Sequence, residues 1–209
     1  MGPPSKKSRY SPHPSLAWAR SVVEQMQART GRSLEEWDDL VRSEGPKTEE
    51  GRASWLRTAH GLGTNYAAWI AKHSLGKGED DADPEAYLAR AEEYVEAQYA
   101  GPKAALRPRY ERLLELGLAL GPDVTASPCR TMVPLFRKHA ILQIKAVTAT
   151  RIDLGLALGA YAGKLSPRLN DTGGAAKRDR ITHRIELGAL SEVDAGVERW
   201  LRRAYELDT

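Results

Sequence analysis

The spacing of apolar residues changes near residue 122, and this change constrains the fold more than any other feature of the chain. Before that point, apolar residues recur every three or four positions, which is typical of amphipathic helices. After it they alternate with polar residues, which is typical of strands with one buried face. A single kind of element cannot satisfy both periods. The sequence therefore predicts an α+β fold with a helical first part and a sheet in the second part.

Residues 15–75 have the pattern of a four-helix domain, and residues 1–14 are predicted to form a flexible basic tail before it. Ser33, with Glu36 three residues later, predicts a capping box. Thr48 and Thr64 are the predicted N-caps of the third and fourth helices. Four of the five tryptophans fall in this part of the chain. We therefore expect aromatic packing to dominate its core.

The rest of the chain is predicted to form one α+β domain over residues 84–209, after a linker at residues 76–83. A helical pair spans residues 84–120, and the sheet and last helix span residues 123–207. The short connections predict an antiparallel sheet of about four strands. The predicted strands are residues 130–137, 140–147, 151–158 and 181–187.

Three details complete the predicted second domain. Pro134 lacks an amide donor, which favours an edge position for the first strand. Residues 159–180 are glycine-rich and basic, and we expect a loop there. Ser191 is the predicted N-cap of the final helix, which should cover one face of the sheet.

Composition limits the classes of function that fit the chain. Cys129 is the only cysteine, so no internal disulfide can form, and a cytoplasmic location is expected. No stretch approaches the ~20 apolar residues of a membrane-spanning helix, so no membrane partner is expected. The net charge is +3, and the basic excess is concentrated in residues 122–184. Such a block can attract nucleic acid or another anionic ligand.

Several short strings carry a resemblance to a known family. They are residues 31–37, Trp55-Leu56, Gly61-Leu62-Gly63, Gln143-Ile144-Lys145, residues 150–156, residues 182–185 and residues 200–205. The chain resembles a family of uncharacterised bacterial proteins with two domains of unknown function, one N-terminal and helical, the other C-terminal and α+β. The resemblance covers nearly everything after residue 15. It implies the fold class and a bacterial cytoplasmic setting, and no activity. The C-terminal domain is also similar to segments attached to DNA-associated proteins, which adds to the nucleic-acid hypothesis by analogy.

The first candidate site is the polar face of the predicted sheet. Alternation places an apolar layer toward the final helix, formed by Leu142, Ile144, Ile152, Leu154, Leu156, Ile185 and Leu187. The opposite face then receives the ligand-binding candidates Gln143, Lys145, Arg151, Asp153 and Arg184, with Thr182 and Glu186 beside them. These side chains could form an anion site. The alternative is a solvated face with cross-strand ion pairs, and the choice depends on whether the helices of residues 84–120 cover it.

The second candidate is a nuclease-like pair, Asp123 and Lys145. Pro122-Asp123 followed by Gln143-Ile144-Lys145 imitates a pattern in which two acidic groups hold Mg²⁺ and a lysine assists the attacking water. Gln143 stands where the second carboxylate is needed, so cation binding would be weak. A helix-ending turn explains Pro122-Asp123 equally well.

The remaining candidates are phosphate contacts made by turns. Gly61, Gly63 and Thr64 lie between two helices, as in helix–hairpin–helix modules, where backbone amides hold a phosphate. A glycine C-cap followed by a threonine N-cap explains the same residues. Lys177 and Arg178 belong to the glycine-rich loop, which lacks the Gly-Lys-Ser/Thr ending of a nucleotide-binding loop.

The sequence favours a non-catalytic binding module that recognises an anionic partner, with nucleic acid as the first partner to test. One alternative is a degenerate metal-dependent nuclease that uses Asp123 and Lys145. Another is a domain that binds a small molecule or a protein. No cofactor and no metal site is predicted, and the oligomeric state is left open.

Overall fold

A computed structural model describes residues 8–77, 83–159 and 161–209. Most of the predicted linker at residues 76–83 lies outside the described residues. The chain divides into two compact units. One is Pro12–Tyr87, and the other joins the residues up to Ser11 with Leu88–Thr209. In the described part of the chain, none of the helices has the length and apolar character of a transmembrane span.

The first unit is helical, as predicted. Its helices are α1 (Ser15–Thr30), α2 (Leu34–Glu44), α3 (Glu49–His60) and α4 (Thr64–His73). The capping box at the start of α2 is confirmed, because the Glu36 amide donates to Ser33 Oγ and the Ser33 amide donates to the Glu36 carboxylate. The Thr48 cap of α3 is confirmed by the bond from the Gly51 amide to Thr48 Oγ1, at 3.1 Å.

One expectation for this unit was wrong. Thr64 does not cap α4, because the helix begins one residue earlier than expected, with Gly63 as the extended N-cap residue. Two tryptophans, Trp37 and Trp69, are buried in the core of this unit and Trp55 packs against it, whereas Trp18 is 51% exposed. The remaining volume of the core is filled mainly by aliphatic side chains, among them Val22, Met26, Val41, Leu56 and Ile70.

The second unit has the predicted α+β class, with six strands instead of about four. Its helices are α5 (Pro84–Gln98), α6 (Arg107–Leu118) and α7 (Ala195–Glu206), with a 3₁₀ segment, Gly101–Leu106, before α6. Its strands are β1 (Thr125–Ala126), β2 (Val133–Phe136), β3 (Ala140–Ala146), β4 (Ile152–Leu156), β5 (Leu169–Asp171) and β6 (His183–Leu187). The order is β1-β2-β3-β4-β6-β5, and every pair is antiparallel.

One of the two additional strands, β1, places Pro134 in an interior strand of the sheet instead of at its edge. β1 pairs with the strand that contains Pro134, so β2 has neighbours on both sides and is not an edge. The Pro134 carbonyl accepts from the Ser127 amide at 3.1 Å. β1 has only two residues and β5 only three, too few to produce an alternating pattern in the sequence.

The start of the last helix also differs from the prediction. Ser191 lies in a short 3₁₀ turn, Leu190–Glu192, and the N-cap of α7 is Asp194. Asp194 Oδ1 accepts from the Val197 amide at 3.0 Å. An aspartate at this position satisfies the free amide and complements the helix dipole.

Helices α6 and α7 lie side by side against one face of the sheet, in contact with β3. A Cβ atom on Gly117 of α6 would meet the Leu135 and Leu142 side chains, so the glycine lets α6 approach the sheet closely. The predicted apolar layer is fully buried under these helices, with Ile144, Leu154 and Ile185 at its centre. The predicted helical pair thus contributes α6 to the apolar face, while the opposite face carries the polar side chains.

Residues 8–11 differ from the expected flexible tail. Tyr10 is only 6% exposed, and the Ser11 amide donates to the Ala126 carbonyl at 2.8 Å. The Arg9 guanidinium pairs with both carboxylate oxygens of Glu111. An aromatic side chain within a basic, proline-containing stretch supplies the apolar area that holds this segment in place.

Candidate functional site

The strand register brings the predicted ligand residues onto one face. Lys145 of β3 is directly opposite Asp153 of β4, which is directly opposite Glu186 of β6. Gln143 and Arg184 are similarly aligned through Gly155. Together with Arg151 at the start of β4, these side chains form a surface that we call the polar sheet face.

Four charges on the polar sheet face pair with one another. Arg151 lies 3.0 Å from Asp153 and 2.9 Å from Glu186, measured between nitrogen and oxygen. Arg184 lies 3.4 Å from Asp153 and 3.2 Å from Glu186. The Arg151 Nε and Asp153 Oδ1 atoms are close but not aligned as a hydrogen bond. Two guanidinium groups and two carboxylates therefore neutralise each other, which leaves little net field for an anion.

Gln143 is also engaged by neighbours within the fold. Its amide nitrogen contacts the Met132 sulfur. A Cβ atom on Gly155 would lie 3.2 Å from Gln143 Cβ and 2.6 Å from the Ile181 side chain. Gly155 therefore lets the strands and the Ile181 segment close around Gln143, so this residue has a packing role.

Lys145 is the member of the predicted set that has no partner for its charge. Its side chain is exposed and makes no hydrogen bond or ion pair with another described residue. It lies at the edge of a cleft of about 710 Å³ between the end of α5, the 3₁₀ segment and the end of β3. Arg130 and Lys103 line the same cleft. We call this concave surface the basic cleft.

The basic cleft has no acidic lining residue in the described part of the chain. Lys103 Nζ donates to the Ala146 carbonyl at 2.6 Å, which fixes one ammonium group against the cleft wall. Arg130 is exposed and, like Lys145, has no side-chain partner among the described residues. Three positive side chains thus converge without neutralisation, and each has donors left for a ligand.

The wall of the basic cleft contains one buried amide. Gln98 is 7% exposed, and its Nε2 donates to the Cys129 carbonyl at 2.7 Å. This bond ties the end of α5 to the segment that carries Arg130. Burial raises the pKa of the Cys129 thiol, so the sulfur stays neutral and adds no negative charge near the cleft.

The structure does not bring the nuclease-like pair together. Asp123 accepts from Arg137 Nε at 2.7 Å and from the Tyr205 hydroxyl at 3.0 Å, and these contacts, led by Arg137, lower the pKa of its carboxyl. Arg137 lies in the turn that enters β3 at Ala140. Lys145 is roughly 17 Å further along that strand at the usual rise per residue. No cluster of three or more metal-ligating side chains is found among the described residues.

The Gly61-Leu62-Gly63 turn is explained by helix termination. Gly61 has φ +67°, the left-handed conformation that favours glycine. The Leu62 amide donates to the Leu56 carbonyl at 3.2 Å, and the Leu62 side chain packs against the core of the first unit. The first turn of α4 has no side-chain cap, since Gly63 precedes Thr64.

Lys177 and Arg178 lie far from Lys145. They belong to a short 3₁₀ turn in the β5–β6 connection, and Arg178 has φ +58°. This connection leads into β6 at His183. In the sheet register His183 is opposite Leu156 of β4, and Leu156 is opposite Leu142 in the first half of β3. Both side chains are exposed, at the opposite end of the sheet from the basic cleft.

Residues 95–208, more than half of the chain, match a family described as a domain of unknown function (DUF5655). The chain belongs to this family. Residues 18–76 match a second family, also described as a domain of unknown function (DUF4287). No curated protein and no solved structure matches the chain. The expected pairing of two domains of unknown function is confirmed, and the bacterial setting stays a prediction.

The basic cleft lies entirely within the DUF5655 domain. Sequence reasoning identified Lys145 there but missed Lys103 and Arg130. The three residues come from three separate segments, so no local spacing relates them. One sequence signal for this cleft is Gly101-Pro102, which predicts the end of α5 and therefore places Lys103 just after that helix end.

Proposed function

We propose that the DUF5655 domain is a non-catalytic binding module that holds an anionic partner in the basic cleft. The observation that carries this proposal is the convergence of Lys103, Arg130 and Lys145 on a concave surface without an acidic neighbour. Lysine supplies a compact charge and arginine a planar fork of donors, and both suit phosphate oxygens. A cytoplasmic setting is part of the proposal, which the single free cysteine favours.

Nucleic acid is the partner that this chemistry favours. Its backbone presents phosphates at regular intervals, so several cations at a cleft mouth can contact it together. Contacts of this kind position a strand without reading its sequence. The basic cleft suits this partner better than the polar sheet face does, because the arginines of that face already have carboxylate partners.

The test is fluorescence anisotropy with a labelled single-stranded and a labelled double-stranded oligonucleotide over a range of salt. We expect the Arg130→Gln/Lys145→Gln double variant to weaken binding roughly tenfold and to reduce the salt slope by about 1 for each lost contact. Lys47→Gln is the control for the loss of one charge, because Lys47 is also exposed and lies in the other unit.

Two outcomes would count against the proposal. One is affinity for both oligonucleotides that does not respond to salt, since phosphate contacts require such a response. The other is a loss of binding free energy per removed charge that is as large in Lys47→Gln as in the double variant, which would attribute the effect to net charge alone. Circular dichroism of each variant shows that the fold is retained.

A further inference from the structure

A second cleft lies between the segment of residues 161–168 and the start of α7, with Ile185 of β6 among its lining residues. Its volume is about 580 Å³, within the range of small-molecule sites. We call it the aromatic cleft, after the Tyr161 and Trp200 side chains that line it. It shares no residue with the basic cleft.

The two aromatic rings form a fixed pair. Their centroids are 5.4 Å apart and their planes are perpendicular, an edge-to-face contact that restricts both rings. The Arg203 guanidinium lies 5.5 Å from the Tyr161 ring centroid, which further fixes the tyrosine. Trp200 and Tyr161 are each half-buried rather than enclosed, so a planar ligand could stack on ring surface that the pair leaves uncovered.

Positive groups surround the aromatic pair. Arg168 is held by two bonds to Asp194, at 3.0 and 2.8 Å, and by one to the Glu192 carbonyl, at 2.8 Å. Lys164 and Arg199 line the cleft without a side-chain partner among the described residues. Asp194 is the one acidic residue among the described lining residues, and Arg203 pairs with Glu206 outside the cleft at 3.0 Å, so two of the four lining cations, Lys164 and Arg199, are uncommitted.

Gly196 leaves room for the Asp194 side chain at the edge of this group of charges. A Cβ atom there would lie 3.6 Å from an Arg168 nitrogen, 3.7 Å from an Arg199 nitrogen and 2.9 Å from Asp194 Oδ1. Its φ is not positive, so the backbone conformation itself does not require glycine. Such a Cβ would be too close to Asp194 Oδ1, which caps α7, but in ordinary van der Waals contact with the two guanidinium groups, so the glycine protects the cap.

We propose that the aromatic cleft binds a ligand in which a planar aromatic ring is joined to a phosphate, as in a nucleotide. The ring stacks beside Trp200, and Arg199 and Lys164 hold the phosphate. Base–aromatic stacking and cation–phosphate contacts are the two interactions that recognise single nucleotides. The ligand has two possible sources, a free mononucleotide or one nucleotide of a single strand, and the proposal does not depend on the basic cleft.

Isothermal titration of the full chain separates these sources. The probes are adenosine monophosphate, uridine monophosphate, adenosine, inorganic phosphate and a single-stranded deoxythymidine dodecamer. We expect saturable binding of the mononucleotides, the dodecamer or both, with adenosine and inorganic phosphate weaker by roughly tenfold each. Dodecamer binding that Arg199→Gln weakens, without mononucleotide binding, assigns the cleft to a strand, and mononucleotide binding without such dodecamer binding assigns it to a free nucleotide.

The matched pair Arg199→Gln and Arg202→Gln locates the binding. Both arginines are exposed on α7 and both line the neighbouring α6–α7 groove, but only Arg199 lines the aromatic cleft. We expect Arg199→Gln to weaken binding roughly tenfold, the size of a charge-assisted bond, and Arg202→Gln to leave it unchanged. Trp200→Leu should weaken it similarly, and Trp200→Phe, which keeps an aromatic face, should restore most of it.

Several results would overturn the proposal. They are the absence of saturable binding for every probe, inorganic phosphate binding as tightly as the mononucleotides, and equal losses in Arg199→Gln and Arg202→Gln. Dodecamer binding that responds to Arg130→Gln/Lys145→Gln and not to Arg199→Gln, without binding of the mononucleotides, would overturn it while supporting the basic cleft. The two arginine variants are at exposed positions, so the comparison holds even if Trp200→Leu fails to fold.

Discussion

The phenol oxygens of Tyr10 and Tyr110 lie 2.8 Å apart in the interior of the second unit. Burial raises the pKa of Tyr110, and the hydrogen bond with Tyr10 raises it further, so the hydroxyl stays protonated at neutral pH. The Tyr110 ring also stacks on Tyr99, with centroids 4.5 Å apart. A residue near the start of the chain is thereby part of a core formed mainly by residues after Leu88.

Tyr10→Ala is expected to destabilise the second unit by about 3–5 kcal/mol, because it removes a buried aromatic side chain and leaves a cavity. Tyr10→Phe keeps the ring and removes only the hydroxyl, so we expect a loss of about 1 kcal/mol. Urea denaturation followed by circular dichroism measures both. Leu190→Ala is the control, since Leu190 is 51% exposed and should change the free energy of unfolding by less than about 0.5 kcal/mol. A Tyr10→Ala variant as stable as this control would contradict the packing of residues 8–11.

A second buried contact joins the end of α7 to the β2–β3 turn. Asp208 is 2% exposed and accepts from the backbone amides of Lys138 and His139, both at 2.9 Å. The His139 ring and Arg180 approach the other carboxylate oxygen, at 2.9 and 2.6 Å. Burial alone would raise the pKa of this carboxyl, but the hydrogen bonds from His139 and the nearby charges outweigh it and lower the pKa.

Asp208→Asn should therefore destabilise the second unit at pH 7 by about 2 kcal/mol, since the amide cannot accept all of these bonds. The sign of the pH dependence follows from the lowered pKa. The carboxylate stabilises the fold above the usual value of 3.8, and this contribution is lost as the pH falls through the folded-state value. Urea titrations at several pH values should show the difference between wild type and Asp208→Asn shrinking below pH 3.8. A constant difference would mean that the carboxylate is not ionised in the folded protein.

Local signals in the sequence predicted most of the fold. The Ser33–Glu36 capping box and the alternation along β3, β4 and β6 depend on neighbouring residues only, so both could be inferred directly. β1 and β5 were not predicted, because they are stabilised by pairing with longer strands and are too short to have an alternating sequence pattern. Ser191 does not cap the last helix, because a 3₁₀ turn, Leu190–Glu192, precedes α7 and the helix begins after Asp194, which is its N-cap.

The candidate site was less predictable for a different reason. The strand phase correctly placed Lys145 and Arg184 on one face, but phase does not specify which charges pair. Lys145 is directly opposite Asp153 in the register, yet Arg184 reaches that carboxylate from a diagonal position, whereas the Lys145 side chain lines the cleft between α5 and β3. The convergence of Lys103 and Arg130 on the same cleft depends on tertiary packing, and no sequence spacing records it.

The first unit contains a hydrogen bond between a buried carboxylate and a histidine that can be tested separately. Asp38 is 4% exposed, and its Oδ2 lies 2.6 Å from His73 Nδ1. The His73 ring also stacks on Trp69, with centroids 5.1 Å apart. His73→Phe keeps the stacking and removes the bond to Asp38, so we expect a loss of about 1–3 kcal/mol in the stability of this unit.

The control for His73→Phe is the double variant Asp38→Asn/His73→Phe. Without His73, the Asp38 carboxylate keeps only the longer contact with Arg42, at 3.6 Å. Removing the carboxylate charge lowers the cost of that weaker pairing, so part of the lost stability should return. Thermal denaturation monitored by tryptophan fluorescence follows the unit, because four of the five tryptophans belong to it. Independent, additive losses in the two single variants would show that Asp38 and His73 do not interact.

Arg184 of the polar sheet face and Lys145 of the basic cleft should respond in opposite ways to substitution, one in stability and the other in oligonucleotide binding. Arg184 is bound to Asp153 and Glu186, so Arg184→Gln should lower stability by up to about 1 kcal/mol, as expected for half-exposed pairs, and leave oligonucleotide binding unchanged. Lys145 has no such partner, so Lys145→Gln should leave stability unchanged and weaken oligonucleotide binding about threefold, its share of the tenfold loss expected for the double variant with Arg130. Urea denaturation and anisotropy on the same two preparations measure both quantities.

If Arg184→Gln reduced binding as much as Lys145→Gln, the ion pairs would open for the ligand, and the binding surface would extend from the cleft across β4 and β6.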